Sequence, residues 1–235
     1  MDDRPGVPLR RDLVRRVRRR PITRPHAGTF VALEGGEGAG KSTQLAGIRD
    51  FLLRAGKPVE LTREPGGTPF AEAVRELLLA PRDEPVTPDA ELLLMFAARA
   101  AHLQDRIIPA IGAGKWVVCD RFTDATYAYQ GGGRGISPAR IAVLEQFVQD
   151  TFRPHATILL DAPVDIGLER AKGRSGKPDR FEREDIAFFT RVRNAYLERA
   201  RAEPERFHIV DAAQPLGAVN RGVEAVLEKL LEKHG

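Results

Sequence analysis

The sequence predicts an α/β fold: a five-stranded parallel sheet with helices on both faces. Three observations lead to it. Short apolar runs near 29–34, 58–62, 115–120, 156–161 and 206–211 read as strands. Between and after them the apolar spacing becomes helical, near 41–55, 69–80, 89–113, 137–150, 164–173, 183–202 and 215–233. Strands separated by helices pair in parallel and are covered on both sides. Lastly, 235 residues suit one such domain with a substantial core, and no internal repeat or second domain is visible.

Residues 1–27 stand apart from this pattern. Arg10-Arg11, Arg15-Arg16 and Arg18-Arg19-Arg20 alternate with Pro5, Pro8, Pro21 and Pro25. Up to residue 26 there are nine arginines against three aspartates, a surplus larger than the +4 of the whole chain. The domain proper, 28–235, is therefore slightly acidic. With little apolar surface to bury, residues 1–27 read as a disordered basic extension. Contact with nucleic acid or an anionic surface is the sharper reading. A solvated tail is the plainer one and is preferred, because charge runs are usually just solvated.

The first strand, Phe30 to Leu33, runs into Gly35-Gly36-Glu37-Gly38-Ala39-Gly40-Lys41-Ser42-Thr43 and then a helix. Gly35, Gly40, Lys41 and Ser42 fit G-x-x-x-x-G-K-[ST], the P-loop pattern. Glycines let backbone N–H groups converge on a phosphate, and the helix start adds its own. Lys41 can reach the β- and γ-phosphates, and Ser42 can hold Mg²⁺. A structural strand-to-helix loop would need neither of those two residues.

Ligands on parallel sheets sit beyond the carboxyl ends of the strands. That rule gathers the P-loop, Arg63, Asp120, Arg121 and Asp161 at one edge. Arg63 ends the second strand, where a guanidinium can grip phosphate, with Pro65-Gly66-Gly67 turning behind it. Its alternative is a surface pair with Glu64. Asp120-Arg121 ends the third strand. Asp120 could bind Mg²⁺ through water and Arg121 a second phosphate, or Asp120 is a capping residue beside a charge. In the apolar helix Leu92 to Arg99, Phe96 and Arg99 share a face. Together they could stack on and hydrogen-bond a nucleobase. Phe96 otherwise is core, and Arg99 needs a ligand or a carboxylate. The basic, turn-rich stretch 169–183 after the fourth strand reads as a lid over polyphosphate.

The single cysteine, Cys119, lies in the apolar run Trp116 to Cys119, so no intrachain disulfide forms and a core role is expected. No run is long enough to span a bilayer and no secretory segment is present. A cytoplasmic enzyme fits.

Taken in order, these residues resemble the bacterial thymidylate kinases. The likeness rests on Glu34 to Thr43, Thr62-Arg63-Glu64-Pro65-Gly66-Gly67-Thr68, and Leu94-Met95-Phe96-Ala97-Ala98-Arg99. It continues in Asp120-Arg121-Phe122, Tyr129-Gln130-Gly131-Gly132-Gly133-Arg134-Gly135, Asp179-Arg180-Phe181-Glu182 and Asp211 to Leu216, covering about 28–233. The resemblance implies a P-loop NTPase-type fold, a homodimer, ATP with Mg²⁺, and transfer of the γ-phosphoryl group to dTMP, giving dTDP. By resemblance, Gly35, Gly36, Glu37, Gly38, Ala39, Gly40, Lys41, Ser42 and Thr43 would cradle ATP, with Arg170, Arg174 and Arg180 from the lid. Arg180 would lie near adenine. Arg63 and Arg121 would hold the dTMP phosphate, and Glu37 the 3′-hydroxyl. Phe96 would stack on thymine, Arg99 would donate to O4, Thr126 would sit near N3, and Gln130 would join the substrate contacts. Tyr129 would crowd the 2′ position. Ser42, Asp120 and Glu182 would surround the metal. Lys41, Asp120, Arg121 and Arg174 would be catalytic. Where many relatives carry Tyr or His after Asp-Arg, this chain has Phe122.

Rival readings remain: a kinase for another nucleotide, such as UMP or a deoxyguanosine substrate; a hydrolytic P-loop switch; and a nucleic-acid-binding module built on the tail. A switch would need no second phosphate pocket, which Arg63, Arg121 and the lid would form.

Overall fold

A computed structural model describes residues 28–81, 84–172, 180–182 and 184–234. Five strands are present: β1 (Phe30–Gly35), β2 (Val59–Arg63), β3 (Trp116–Asp120), β4 (Ala156–Asp161) and β5 (Phe207–Asp211). All neighbours are parallel, in the order β2-β3-β1-β4-β5. The register puts Leu33 beside Asp120 and Arg63 beside the same Asp120, so the three strand ends open on one edge. The extension 1–27 and most of the expected lid, Arg174 included, lie outside the described residues.

Strand β1 is buried along its whole length and alternates between two cores. Val31 and Leu33 face α1 (Lys41–Arg54) and α9 (Leu216–His234), packing with Ile48, Leu52, Val223 and Leu227. Phe30 and Ala32 face the other side, with Ile107, Ile111, Val117, Cys119, Phe122 and Phe152. The period of two in a strand sends successive side chains to opposite faces, so one apolar run supplies both layers. Cys119 is fully buried in the second of them.

Helix starts follow local chemistry. The side chains of Thr68 and Thr87 accept from Ala71 N and Ala90 N, capping α2 (Pro69–Leu79) and α3 (Pro88–His102), each with proline just inside. Asp185 accepts from Phe188 N and caps α8 (Ile186–Ala202). The helix expected over 89–113 is interrupted: α3 passes through a π turn (Leu103–Ile107) into α4 (Ile108–Gly112). Pro109 has no N–H for the regular ladder, and Ile108 N reaches back five residues to Leu103 O.

One helical segment was not foreseen. Residues after β3 form α5 (Thr123–Thr126) and continue as a π turn (Tyr127–Gly133). Three successive glycines argue against helix on propensity alone. Tertiary packing decides otherwise: a Cβ on Gly132 would stand 2.7 Å from Ala195 Cβ and 2.9 Å from Arg191 O. Bare backbone here lets α8 lie directly against the segment. Two further helices, α6 (Pro138–Gln149) and α7 (Val164–Lys172), complete the covering layers.

Candidate active site

The P-loop joins β1 to α1 and contributes to two cavities. The larger, about 290 Å³, is lined by Glu37, Lys41 and Ser42, and by Arg63, Asp120, Arg121, Tyr129, Gln130 and Glu182, among others. The second, about 260 Å³, is lined by Gly38, Ala39, Gly40 and Thr43, with Arg170, Ala212, Gln214 and Leu216. Gly40 precedes α1 in a left-handed conformation and no side chain caps the helix, so its first-turn N–H groups face the loop's concavity. Gly38, at φ +68°, passes so near α7 that a Cβ would overlap the carbonyl oxygen of Gly167.

Lys41 folds back onto the loop and donates to Gly35 O at 3.2 Å and Gly36 O at 3.1 Å. Burial, and then the charge of Arg121, lower its pKa to about 8. Arg121 converges on the same place. Its Nη1 donates to Gly35 O at 2.9 Å and to the Tyr196 hydroxyl at 3.1 Å, and its Nη2 lies 3.6 Å from Glu37. The guanidinium sits 4.6 Å from the centre of the Tyr129 ring. Burial opposes its charge, but Tyr129, Tyr196, Glu37 and Asp120 outweigh that and hold its pKa well above the usual value. The Arg121 backbone has φ +68°, a conformation rare outside glycine. It is pinned by Arg121 N donating to Leu33 O, and by Phe122 N donating to Glu34 Oε1 at 2.7 Å.

Glu34 itself is fully buried behind the P-loop and accepts from the Tyr196 hydroxyl at 2.7 Å. Burial, with a contribution from Asp124, raises its pKa to about 7. Asp120 presents a buried Oδ1 that accepts no hydrogen bond. Among the described residues no cluster of His, Cys, Asp and Glu could by itself hold a metal ion.

Arg63 pairs with Glu72 at 2.8 Å, not with Glu64, and Glu72 is held below the usual carboxylate range mainly by that bond. Glu64 turns inward and joins Arg99 at 2.7 Å and His102 at 3.0 Å. Arg99 thus has its carboxylate. It also donates to Thr126 Oγ1 at 2.9 Å and lies 4.8 Å from the Phe96 ring centre, which leaves Nη1 buried without a partner.

Not every expected site residue lines a cavity. Phe96, Arg99 and Thr126 are all buried beneath the larger cavity and line neither one. The Thr126 hydroxyl is already engaged by Arg99. Met95, Ala125, Tyr129 and Gln130 form the surface above them. Arg180 is not in the second cavity. Its Nε donates to Leu78 O at 2.9 Å and its Nη2 to Glu91 at 2.5 Å, which commits it to α2 and α3. Arg170 does stand in the second cavity, donating to Ala212 O at 2.7 Å.

The stretch 211–216 carries no role in the sequence reading, and the structure puts Ala212, Gln214 and Leu216 in the wall of the second cavity. Arg75, in the wall of the larger one, carries no distinguishing mark in the sequence. Gln130 gains detail: its Nε2 donates to Glu91 Oε1 at 2.8 Å, and its buried Oε1 has no partner.

Comparison with known proteins agrees with the geometry. A family model described as thymidylate kinase matches residues 33–223. A thymidylate kinase of Pseudomonas putida is 60% identical over 204 residues, covering 87% of this chain and 98% of its own. One from Pseudomonas syringae pv. syringae is 62% identical over 209 residues, covering 87% and 97%. One from Pseudomonas fluorescens is 58% identical over 206 residues, covering 88% and 98%.

Proposed function

Since this chain belongs to the thymidylate kinase family, we propose that it transfers the γ-phosphoryl group of ATP to dTMP, giving dTDP and ADP, across the P-loop. One observation carries this reading: the loop contributes residues to two cavities, so two nucleotides can meet at Lys41. ATP enters from the second cavity, its adenosine against Ala212, Gln214 and Arg170. Its phosphates take the place of the Gly35 and Gly36 carbonyls at Lys41 Nζ. The dTMP occupies the larger cavity, its phosphate between Arg63 and Arg121.

The base edge is supported by two buried atoms of opposite kind. Arg99 Nη1 is a donor without an acceptor, and Gln130 Oε1 is an acceptor without a donor. Thymine offers O4 and N3–H in matching order. Gln130 is our choice for the N3 partner over Thr126, because Gln130 lines the larger cavity and its carbonyl oxygen has no donor.

An oxygen of the dTMP phosphate forms the new bond to Pγ as the bond from Pγ to the β,γ-bridging oxygen breaks, and that oxygen leaves with ADP. The attacking phosphate is already ionised, so no general base is needed. Lys41 and Arg121 neutralise the oxygens that gain charge, and the fixed backbone at Arg121 sets the line of attack. Mg²⁺ fits the donor set. Ser42 and Asp120 are hard oxygen donors, the Asp120 oxygen is unpartnered, and the phosphates would supply most of the shell. Bound there, the ion would offset the negative charge of the ATP phosphates.

Adjacent helices α2, α3 and α6 carry well-exposed Phe70, Leu93, Val143 and Phe147. Exposed apolar residues on these helices support a homodimer, which light scattering would test, with Phe147→Glu expected to shift the mass towards a monomer. No helix among the described residues is long and apolar enough to cross a membrane, and we read the enzyme as cytoplasmic.

The deciding experiment is coupled ADP release with ATP, Mg²⁺ and each nucleoside monophosphate in turn. Release should depend on dTMP above the others. Release without any acceptor would instead favour a hydrolytic switch, and a preference for UMP or a guanosine nucleotide another kinase.

A further inference from the structure

Glu91 is completely buried in the first turn of α3. Nothing in the proposed reaction uses it, yet three donors converge on it. Gln130 Nε2 reaches Oε1 at 2.8 Å, and Arg180 Nη2 reaches Oε2 at 2.5 Å. Arg134 Nε stands 3.4 Å from Oε1. Both carboxylate oxygens only accept, so Gln130 must turn its NH₂ end towards Glu91. Its carbonyl end is thereby turned the other way, where Oε1 is buried and unpartnered in a residue that lines the larger cavity.

We propose that Glu91 is the positioning residue for base selection: it fixes which end of the Gln130 amide meets the nucleobase. The inference rests on the reading of the larger cavity as the thymine site. An amide is nearly symmetric in shape, so packing alone selects poorly between its two ends. A carboxylate at the NH₂ end makes the choice. Presented to a base, the carbonyl oxygen accepts from N3–H of thymine or uracil. It repels the N3 lone pair of cytosine, which rejects the wrong base without weakening the right one.

Glu91→Gln is the sharp test because it keeps shape and volume. The Arg180 guanidinium, which can only donate and at 2.5 Å is the nearest donor, will retain the single remaining oxygen of residue 91, while Arg134 at 3.4 Å gives up its longer contact. Its new NH₂ then faces Gln130, which must flip to accept from it, turning its own NH₂ towards the base. The measurement is kcat/KM for dTMP, dUMP and dCMP. dUMP has the same hydrogen-bonding edge as dTMP and lacks only the methyl group.

In Glu91→Gln, the preference for dUMP over dCMP should fall roughly tenfold or more. The preference for dTMP over dUMP should hold. A purely structural role would lower all three substrates together and leave both ratios in place, which would overturn the proposal. Glu91→Leu, which removes the orienting acceptor altogether, should move the same ratio in the same direction by less.

Gln130→Ala separates the two layers of the argument. If it lowers the dUMP-over-dCMP preference while Glu91→Gln does not, the orienting role fails and the base site stands. If Gln130→Ala leaves that preference unchanged, the base site itself is wrong and the proposal falls with it.

Discussion

The Tyr196 hydroxyl donates to Glu34 Oε2 at 2.7 Å while accepting from Arg121 Nη1 at 3.1 Å. Through this one oxygen, helix α8 holds a cationic side chain in the larger cavity against the strand that leads into the P-loop. Glu34 also holds the adjoining backbone, because its other oxygen accepts from Phe122 N. A hydrogen bond to a charged group contributes roughly 1.5–3 kcal/mol. Tyr196→Phe should therefore lower kcat/KM for dTMP about tenfold or more while the protein stays folded. Steady-state kinetics with both substrates will check this. A folded variant with unchanged kcat/KM would show that Arg121 is held adequately by its backbone and Gly35 alone.

Lys41 predicts an alkaline limit. Burial and Arg121 bring its pKa down to about 8 in the free enzyme. A lysine with a depressed pKa loses its charge as pH rises through that value, so kcat/KM for ATP should decline above about 8. Bound polyphosphate favours the charged amine, so kcat at saturating ATP should stay level to higher pH. Lys41→Ala should lack the limb and lose on the order of a hundredfold in rate, about 2.7 kcal/mol of barrier. Identical pH limits for kcat and kcat/KM would remove lysine ionisation from the account.

Glu34 predicts a stability trend. Its pKa rises from 4.5 to about 7 on folding, chiefly through burial and then Asp124, with Arg121, Tyr196 and Phe122 N acting the other way. The native state therefore binds this proton more tightly than the unfolded chain does. The stability it contributes is complete below about 4.5 and is lost as pH rises through about 7. Glu34→Gln is a neutral isostere that does not titrate. The wild-type Tm minus the variant Tm should fall between pH 4.5 and 7.5. A constant difference across that range would mean the carboxyl ionises normally in the folded protein.

The parts most legible from sequence are those where a residue pattern leaves few alternatives. Alternating burial in Phe30 to Leu33, the glycine–lysine–serine turn and the strand ends at Arg63 and Asp120 all depend on local spacing. The helical run 123–133 was hidden because its glycines are explained by Ala195, Arg191 and Phe188 on a distant helix. Glu91 was hidden for a related reason. An acid in the first turn of a helix is expected from the helix dipole alone, and only tertiary contacts reveal the three donors around it. Arg180 illustrates the same limit: its motif implies the adenine side, and its pairing with Glu91 is visible only in the fold.

The contact between Gly38 and Gly167 has a consequence for how such a chain can vary. A Cβ on Gly38 would stand 1.8 Å from the Gly167 carbonyl oxygen, and one on Gly167 would stand 2.4 Å from that of Glu37. Each position forbids a side chain because of backbone on the opposite segment, so neither can accept a substitution until that segment has moved away. Single mutational steps at either place are closed, and paired steps gain nothing without a shift of α7. Anyone redesigning the nucleotide-donor side would have to move the loop and α7 as one rigid block, and drift across generations meets the same barrier.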